Sequence, residues 1–195
     1  MKTKIILDLI SSISVPKTDS EMFKKYADKI FIGKKAYFWT DGIMAIKIYY
    51  SQWIKKPEVN LSTDAEHYIE YYIEKKDFKE IKDTENIKPE MVKEFKLNMT
   101  GKLEEWFREN KKKIVIEDTD FRLNPVKQNI VVKQGEREII LDFERFSKII
   151  TKIMPVTMFY NETKDFPVSF NSFDMYQKKD MRRLHCQMLL MPLRS

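Results

Sequence analysis

Apolar residues in the first segment recur at helical spacing. Ile5, Leu9 and Ile13 share a face with Ile6 and Ile10, which predicts a helix over 3–14, stopped by Pro16. The period then shortens. Residues 26–32 and 36–40 read as two strands hinged at Gly33-Lys34-Lys35, with Asp41-Gly42 as a second turn signal. Residues 43–50 alternate, with Ile46, Ile48 and Tyr50 on one side and Ala45, Lys47 and Tyr49 on the other, as in a half-buried strand.

The middle of the chain returns to helical spacing. Thr63-Asp64-Ala65-Glu66 resembles a capping box, and Tyr68, Tyr71, Tyr72, Ile69 and Ile73 predict an amphipathic helix over 64–81. A short helix ending near Phe95 follows Pro89, and 100–112 forms another, with Leu103, Trp106 and Phe107 on its apolar face. Strands are expected at 114–117, 121–123, 129–133 and 138–142, then a helix at 143–153 that buries Phe143, Phe146, Ile149, Ile150 and Ile153. Pro155 ends it, and strands near 156–160, 167–173 and 184–191 close the chain. No internal repeat is visible. The expected fold class is α+β with mostly antiparallel sheet.

Composition narrows the chemistry. Among 195 residues there are four glycines, at 33, 42, 101 and 135, and no two stand at the spacing of a dinucleotide or Walker phosphate loop. One cysteine and two histidines exclude a zinc ribbon or a disulfide framework by count. His185 and Cys186 are adjacent in a predicted strand and so point to opposite faces, which a nucleophile–base pair cannot use. His67 lies among Glu66 and Glu70 on a polar helix surface. Asp118 and Asp120, two apart on a turn-like stretch, fit a divalent cation or an ordinary solvated turn. We expect a non-enzyme with no cofactor and no metal. The lone Cys186 and the absence of a membrane-length apolar run point to the cytoplasm.

The net charge is +6, but 52–113 holds 14 basic and 14 acidic residues, so the whole excess lies outside it. Within the flanking segments, Arg145, Lys148 and Lys152 form a stripe on the 143–153 helix, a pattern that fits either phosphates or plain solvent.

Three segments in order resemble the bacterial DNA polymerase III beta subunit, the sliding clamp. Lys35-Ala-Tyr-Phe-Trp-Thr-Asp-Gly-Ile-Met-Ala-Ile-Lys-Ile48 is similar to the clamp's strand running into Thr-Asp-Gly. Gln187-Met-Leu-Leu-Met-Pro-Leu-Arg-Ser195 is similar to the clamp's ending on Met-Pro-x-Arg. Ile140-Leu-Asp-Phe-Glu-Arg-Phe-Ser-Lys-Ile-Ile-Thr-Lys-Ile153 has the place of the strand and helix before a clamp domain's last strands. The family's His-Arg after Thr-Asp-Gly is Ile43-Met44 here, and this chain is about half as long as a three-domain clamp subunit.

The resemblance implies a single clamp-like α+β domain, 1–51 and 113–195, with antiparallel sheet and two inner helices. A mainly helical insertion, 52–112, interrupts it and carries the interface-type residues Trp53, Tyr68, Tyr71, Tyr72 and Trp106. Residues 96–132 alternatively open a second, incomplete unit. The implied function is a processivity factor that encircles or contacts duplex DNA without sequence preference and docks a polymerase or other replication protein. Lys2, Lys4, Arg145, Lys148 and Lys152 are the implied DNA-facing residues. Thr40, Asp41, Gly42, Leu190, Met191, Pro192, Leu193 and Arg194 are the implied partner-peptide groove, in the family shared between neighbouring domains. A homo-oligomeric ring would take about six domains, head to tail. The rival expectation is a phage-borne adaptor or decoy that binds protein and not DNA.

Overall fold

The computed structural model describes residues 2–14, 25–52, 54–58, 69–96, 99–152, 157–163, 166–176 and 183–193. Helices and antiparallel strands combine in an α+β fold built on two open sheets. Helix α1 is Lys2–Ile13, followed by strands β1 (Lys29–Ile32), β2 (Ala36–Thr40), β3 (Met44–Tyr49) and β4 (Ile69–Glu74). Next come α2 (Lys75–Glu80), β5 (Lys93–Lys96), α3 (Met99–Glu109) and β6 (Lys112–Lys113). A hairpin-linked trio follows, β7 (Thr119–Asn124), β8 (Asn129–Gln134) and β9 (Arg137–Asp142), then α4 (Phe143–Lys152). Strands β10 (Thr157–Tyr160), β11 (Val168–Tyr176) and β12 (Arg183–Leu190) complete the chain.

The large sheet has the order β5-β4-β1-β2-β3-β12-β11-β10-β6, and β7-β8-β9 form a separate sheet. The large sheet is nearly symmetrical about its centre. A helix followed by a three-strand meander occurs twice, as α1 with β1–β3 and as α4 with β10–β12. The last strands of the two units pair antiparallel, Met44 opposite Leu190 through Ile48 opposite Cys186. Helices α1 and α4 meet on one face of the sheet, where the Lys148 Nζ donates to the Ser14 carbonyl at 3.0 Å.

The alternation of side chains divides the core in two. Ile30, Trp39, Ile46, Phe170 and Met188 point to the face covered by α1, α4 and the small sheet. Phe31, Phe38, Ala45 and Leu189 point to the other face, which α3 covers with Leu103 and Phe107. Each fully buried side chain of this size contributes about 1.5–3 kcal/mol. Gly33 lets the chain turn tightly before β2. A Cβ there would stand 2.5 Å from the Phe38 ring.

Two polar contacts fix α3. Lys47, expected on the half-exposed side of its strand, is buried beneath the helix and paired with Glu104. Its ammonium also lies over the Phe38, Tyr49 and Phe107 rings, at 5.6, 4.6 and 5.6 Å. Glu70, buried on β4, accepts the backbone N–H of Thr100 in the first turn of α3.

The main departure from expectation is the helix over 64–81. Its described part opens as strand β4, paired with β1 from Lys29 opposite Glu74 to Ile32 opposite Tyr71. Ile69 and Ile73 satisfy a four-residue and a two-residue period alike, and the free edge of β1 decides between them. Only 75–80 is helical, with Phe78 inside. The short helix ending near Phe95 is a 3-10 turn, Pro89–Met91, before β5. The strand expected at 114–117 is displaced to Lys112–Lys113, with a 3-10 turn at Ile116–Asp118. The segment 52–112 therefore carries strands as well as helices, and they extend the main sheet. Trp53, His67 and Tyr68 lie outside the described residues. Among those described, no helix is long and apolar enough to cross a membrane.

Burial raises the Glu70 carboxyl above its usual range, and the N–H groups of Thr100 and Met99 offset only part of that. A raised carboxyl pKa disfavours the folded state above that pKa and ceases to do so as pH falls through it towards the unfolded value. The Glu70→Gln variant keeps an acceptor for Thr100 and carries no charge. In urea melts it should exceed the wild type in stability at neutral pH, and the gap should close on acidification. A gap that widens towards acid contradicts this.

Candidate functional site

The two motif-bearing segments converge at one end of the molecule. In the turn after β2, Asp41 Oδ1 accepts the N–H groups of Ile43 at 3.0 Å and Met44 at 2.8 Å. The Thr40 hydroxyl donates to the Met44 carbonyl at 2.8 Å and accepts the Gly42 N–H at 2.9 Å. Gly42 adopts φ 88°, a conformation side chains resist. This is why Thr-Asp-Gly occurs here: each residue supplies one part of a tight turn.

The chain's last described residues run past this turn. Beyond β12, the Met191 N–H donates to the Ile43 carbonyl at 2.9 Å, and the Leu193 N–H to the Ile140 carbonyl at 2.8 Å. The tail thus spans from the β2–β3 turn to the outer side of β9. The implied groove elements, which in the family come from neighbouring domains, are strand neighbours within this one chain. Their accessibility differs from residue to residue. Thr40, Asp41 and Leu190 are buried and act as framework. Gly42, Met191, Pro192 and Leu193 reach the surface, and Arg194 lies outside the described residues.

Arg145 departs furthest from its expected role. It was grouped with Lys148 and Lys152 as an open cationic stripe. It is instead 6% exposed, with Nη2 3.3 Å from Asp41 Oδ2, and Asp41 is 2% exposed. Asp142 caps α4 by accepting the Arg145 backbone N–H at 2.8 Å. Asp41 has three donors, whereas Arg145 Nε has no hydrogen-bond partner among the described residues. The pair therefore joins α4 to the turn at a substantial desolvation cost. A signal was present in the sequence: Arg145 stands one helical turn before buried Ile149, at the border of the apolar stripe.

The other implied DNA-facing residues lie on the helix-bearing side. Lys4 is exposed and paired with Asp8 at 2.6 Å. Lys148 is partly buried and 3.2 Å from Glu144. The side chains of Lys2 and Lys152 lie outside the described set. Lys4, Arg145 and Lys148 are thus each matched by a carboxylate.

The sequence reading missed an apolar fringe beside this end. Leu123, Val126 and Phe143 are exposed at 51%, 91% and 36%. Phe143 is tied to the β7–β8 turn through its N–H to the Gln128 carbonyl at 3.1 Å. The helical pattern places Phe143 on the buried side of α4, but it stands at the helix's first position and is exposed. Leu123 lies near the end of β7, and Val126 lies in the β7–β8 turn, where no period applies.

The remaining chemical suspects separate. Cys186 is in the helix-side core, and burial pushes its thiol up to about 12. His185 faces away and stacks on Tyr49, with centroids 4.4 Å apart. Asp120 is engaged by Arg122 at 2.6 Å. No cluster of three metal-ligating side chains occurs among the described residues. No family model, curated protein or solved structure matches the chain.

Truncating Asp41 leaves a guanidinium and two turn amides without their acceptor. Asp41→Ala should cost about 3–5 kcal/mol in urea denaturation. Adding Arg145→Met should recover part of that loss, because no unpaired charge then remains inside. Equal losses in the single and double variants contradict the pairing.

Proposed function

We propose that the chain is a non-catalytic scaffold of the sliding-clamp type. The face bearing α1 and α4 contacts the backbone of duplex DNA, and the end formed by Gly42 and Met191–Leu193 docks a replication protein. The observation that carries this reading is the central seam. Two helix-and-meander units pair through β3 and β12, with their helices side by side on one face. That arrangement presents a helical surface on one side and a β framework behind it, as the resemblance to clamps implies. Contact with phosphates by Lys2, Lys4, Lys148 and Lys152 would be weak and independent of sequence, which suits sliding. A closed ring from one domain per chain requires further copies.

A second reading has its own support. Arg145 is consumed by Asp41, and Lys4 and Lys148 already hold carboxylates. This favours an adaptor that docks protein through the Gly42–Leu193 end without touching DNA.

Fluorescence anisotropy with a labelled duplex separates the two. The scaffold reading expects binding at low salt that falls steeply as salt rises, equally for unrelated sequences. The double variant Lys148→Glu/Lys152→Glu should weaken it and flatten the salt slope by about two. Absence of binding at low salt leaves the adaptor reading in place.

A further inference from the structure

Strand edges are pairing templates, and folded chains normally blunt them. The described edges of this chain differ in how far they are blunted. Strand β6 is two exposed lysines. Strand β5 exposes Lys93, Glu94 and Lys96, and Lys25 and Lys29 lie over the neighbouring Phe95 ring. The outer side of β9 receives the Leu193 N–H. Strand β7 is different. It is six residues long, pairs with β8 from Thr119 opposite Gln134 to Asn124 opposite Asn129, and ends its sheet without a register shift.

The sign pattern of β7 is self-complementary. Asp120 and Arg122 lie two residues apart on one face, with side chains about half and two-thirds exposed. Turned antiparallel onto a copy of itself about Phe121, the strand sets Asp120 opposite the partner's Arg122, twice by symmetry. The contact within each of the two strands is exchanged for one across the axis, two for two, so no charge loses its partner. Exposed Leu123 then faces the partner's Thr119, and its half-exposed apolar surface is covered. Reversing β5 about Phe95 also sets Glu94 opposite Lys96. It would, however, bring Lys25, which lies over the Phe95 ring at the axis, towards its copy, and no large exposed apolar side chain among the described residues of β5 would be covered.

We propose that β7 is a two-fold self-association edge. It joins two copies of this chain into one continuous six-stranded sheet, β9-β8-β7 running into the partner's β7-β8-β9. The proposal is independent of the scaffold reading. Head-to-tail contacts through other edges would leave β7 untouched.

Sedimentation velocity into the hundreds of micromolar tests it, with amide exchange as the locating readout. The wild type should dimerise with concentration, and exchange should slow within 119–124. Arg122→Asp places like charges across the axis and should weaken the dimer at least about tenfold. The swap Asp120→Arg/Arg122→Asp restores opposite signs and should return the affinity to near the wild-type value. Both side chains are exposed, so the fold does not depend on them. A wild type that stays monomeric overturns the proposal. So does an unaffected Arg122→Asp variant, a swap that fails to recover, or protection that appears outside β7.

Discussion

The arrangement depends on one seam and the ion pair at its end. Strands β3 and β12 belong to segments far apart in the chain, and their pairing converts two three-strand meanders into one sheet. Asp41 closes the turn before β3 with one oxygen and receives Arg145 of α4 with the other. The helix of the second unit is thereby fixed to the turn of the first. A buried pair of this kind contributes little net stability over a well-packed apolar substitute. It does define which parts must meet, because either charge left alone inside is costly. The position of α4 against the β2–β3 turn follows from it.

The seam also explains how the sheet's two faces differ. Packing α1 and α4 together on one face leaves the opposite face of β1–β3 and β12 in need of cover. Helix α3 supplies it, held by the buried Lys47 and by Glu70 at its first turn. The segment 69–113 is thus part of the framework: β4 extends the sheet on one side and α3 closes its second core. On the scaffold reading, α3 lies behind the sheet, away from the nucleic acid.

Much of the architecture was legible because turn signals at Gly33 and Asp41-Gly42 bound β1–β3, which are buried on both faces, and because periodic patterns mark elements such as β9, α1 and α4 that bury one. Strands β1–β3 and β8–β12 and helices α1 and α4 fall close to where the pattern places them. Strand β4 was misread because Ile69, Tyr71, Tyr72 and Ile73 suit a helix as well as a strand, and only the neighbouring β1 edge selects one. The duplication was hidden because the two units share an arrangement and not residues: Lys-Thr-Lys-Ile-Ile-Leu opens α1, and Phe-Glu-Arg-Phe-Ser-Lys opens α4. The Thr40–Gly42 and Leu190–Leu193 segments were found as motifs. Their meeting within one chain, and the choice of Asp41, 104 positions away, as the partner of Arg145, are tertiary facts; only the place of Arg145 beside the apolar stripe shows locally.

The claim at the centre of this account is that the helix pair, and not the α3 side, faces duplex DNA. Photocross-linking reads this directly, with a photoreactive residue at Ser11 of α1, Thr151 of α4 or Glu105 of α3, all exposed positions. The account predicts DNA adducts from Ser11 and Thr151 and none from Glu105. Adducts from Glu105 alone, or from none of the three, would contradict it.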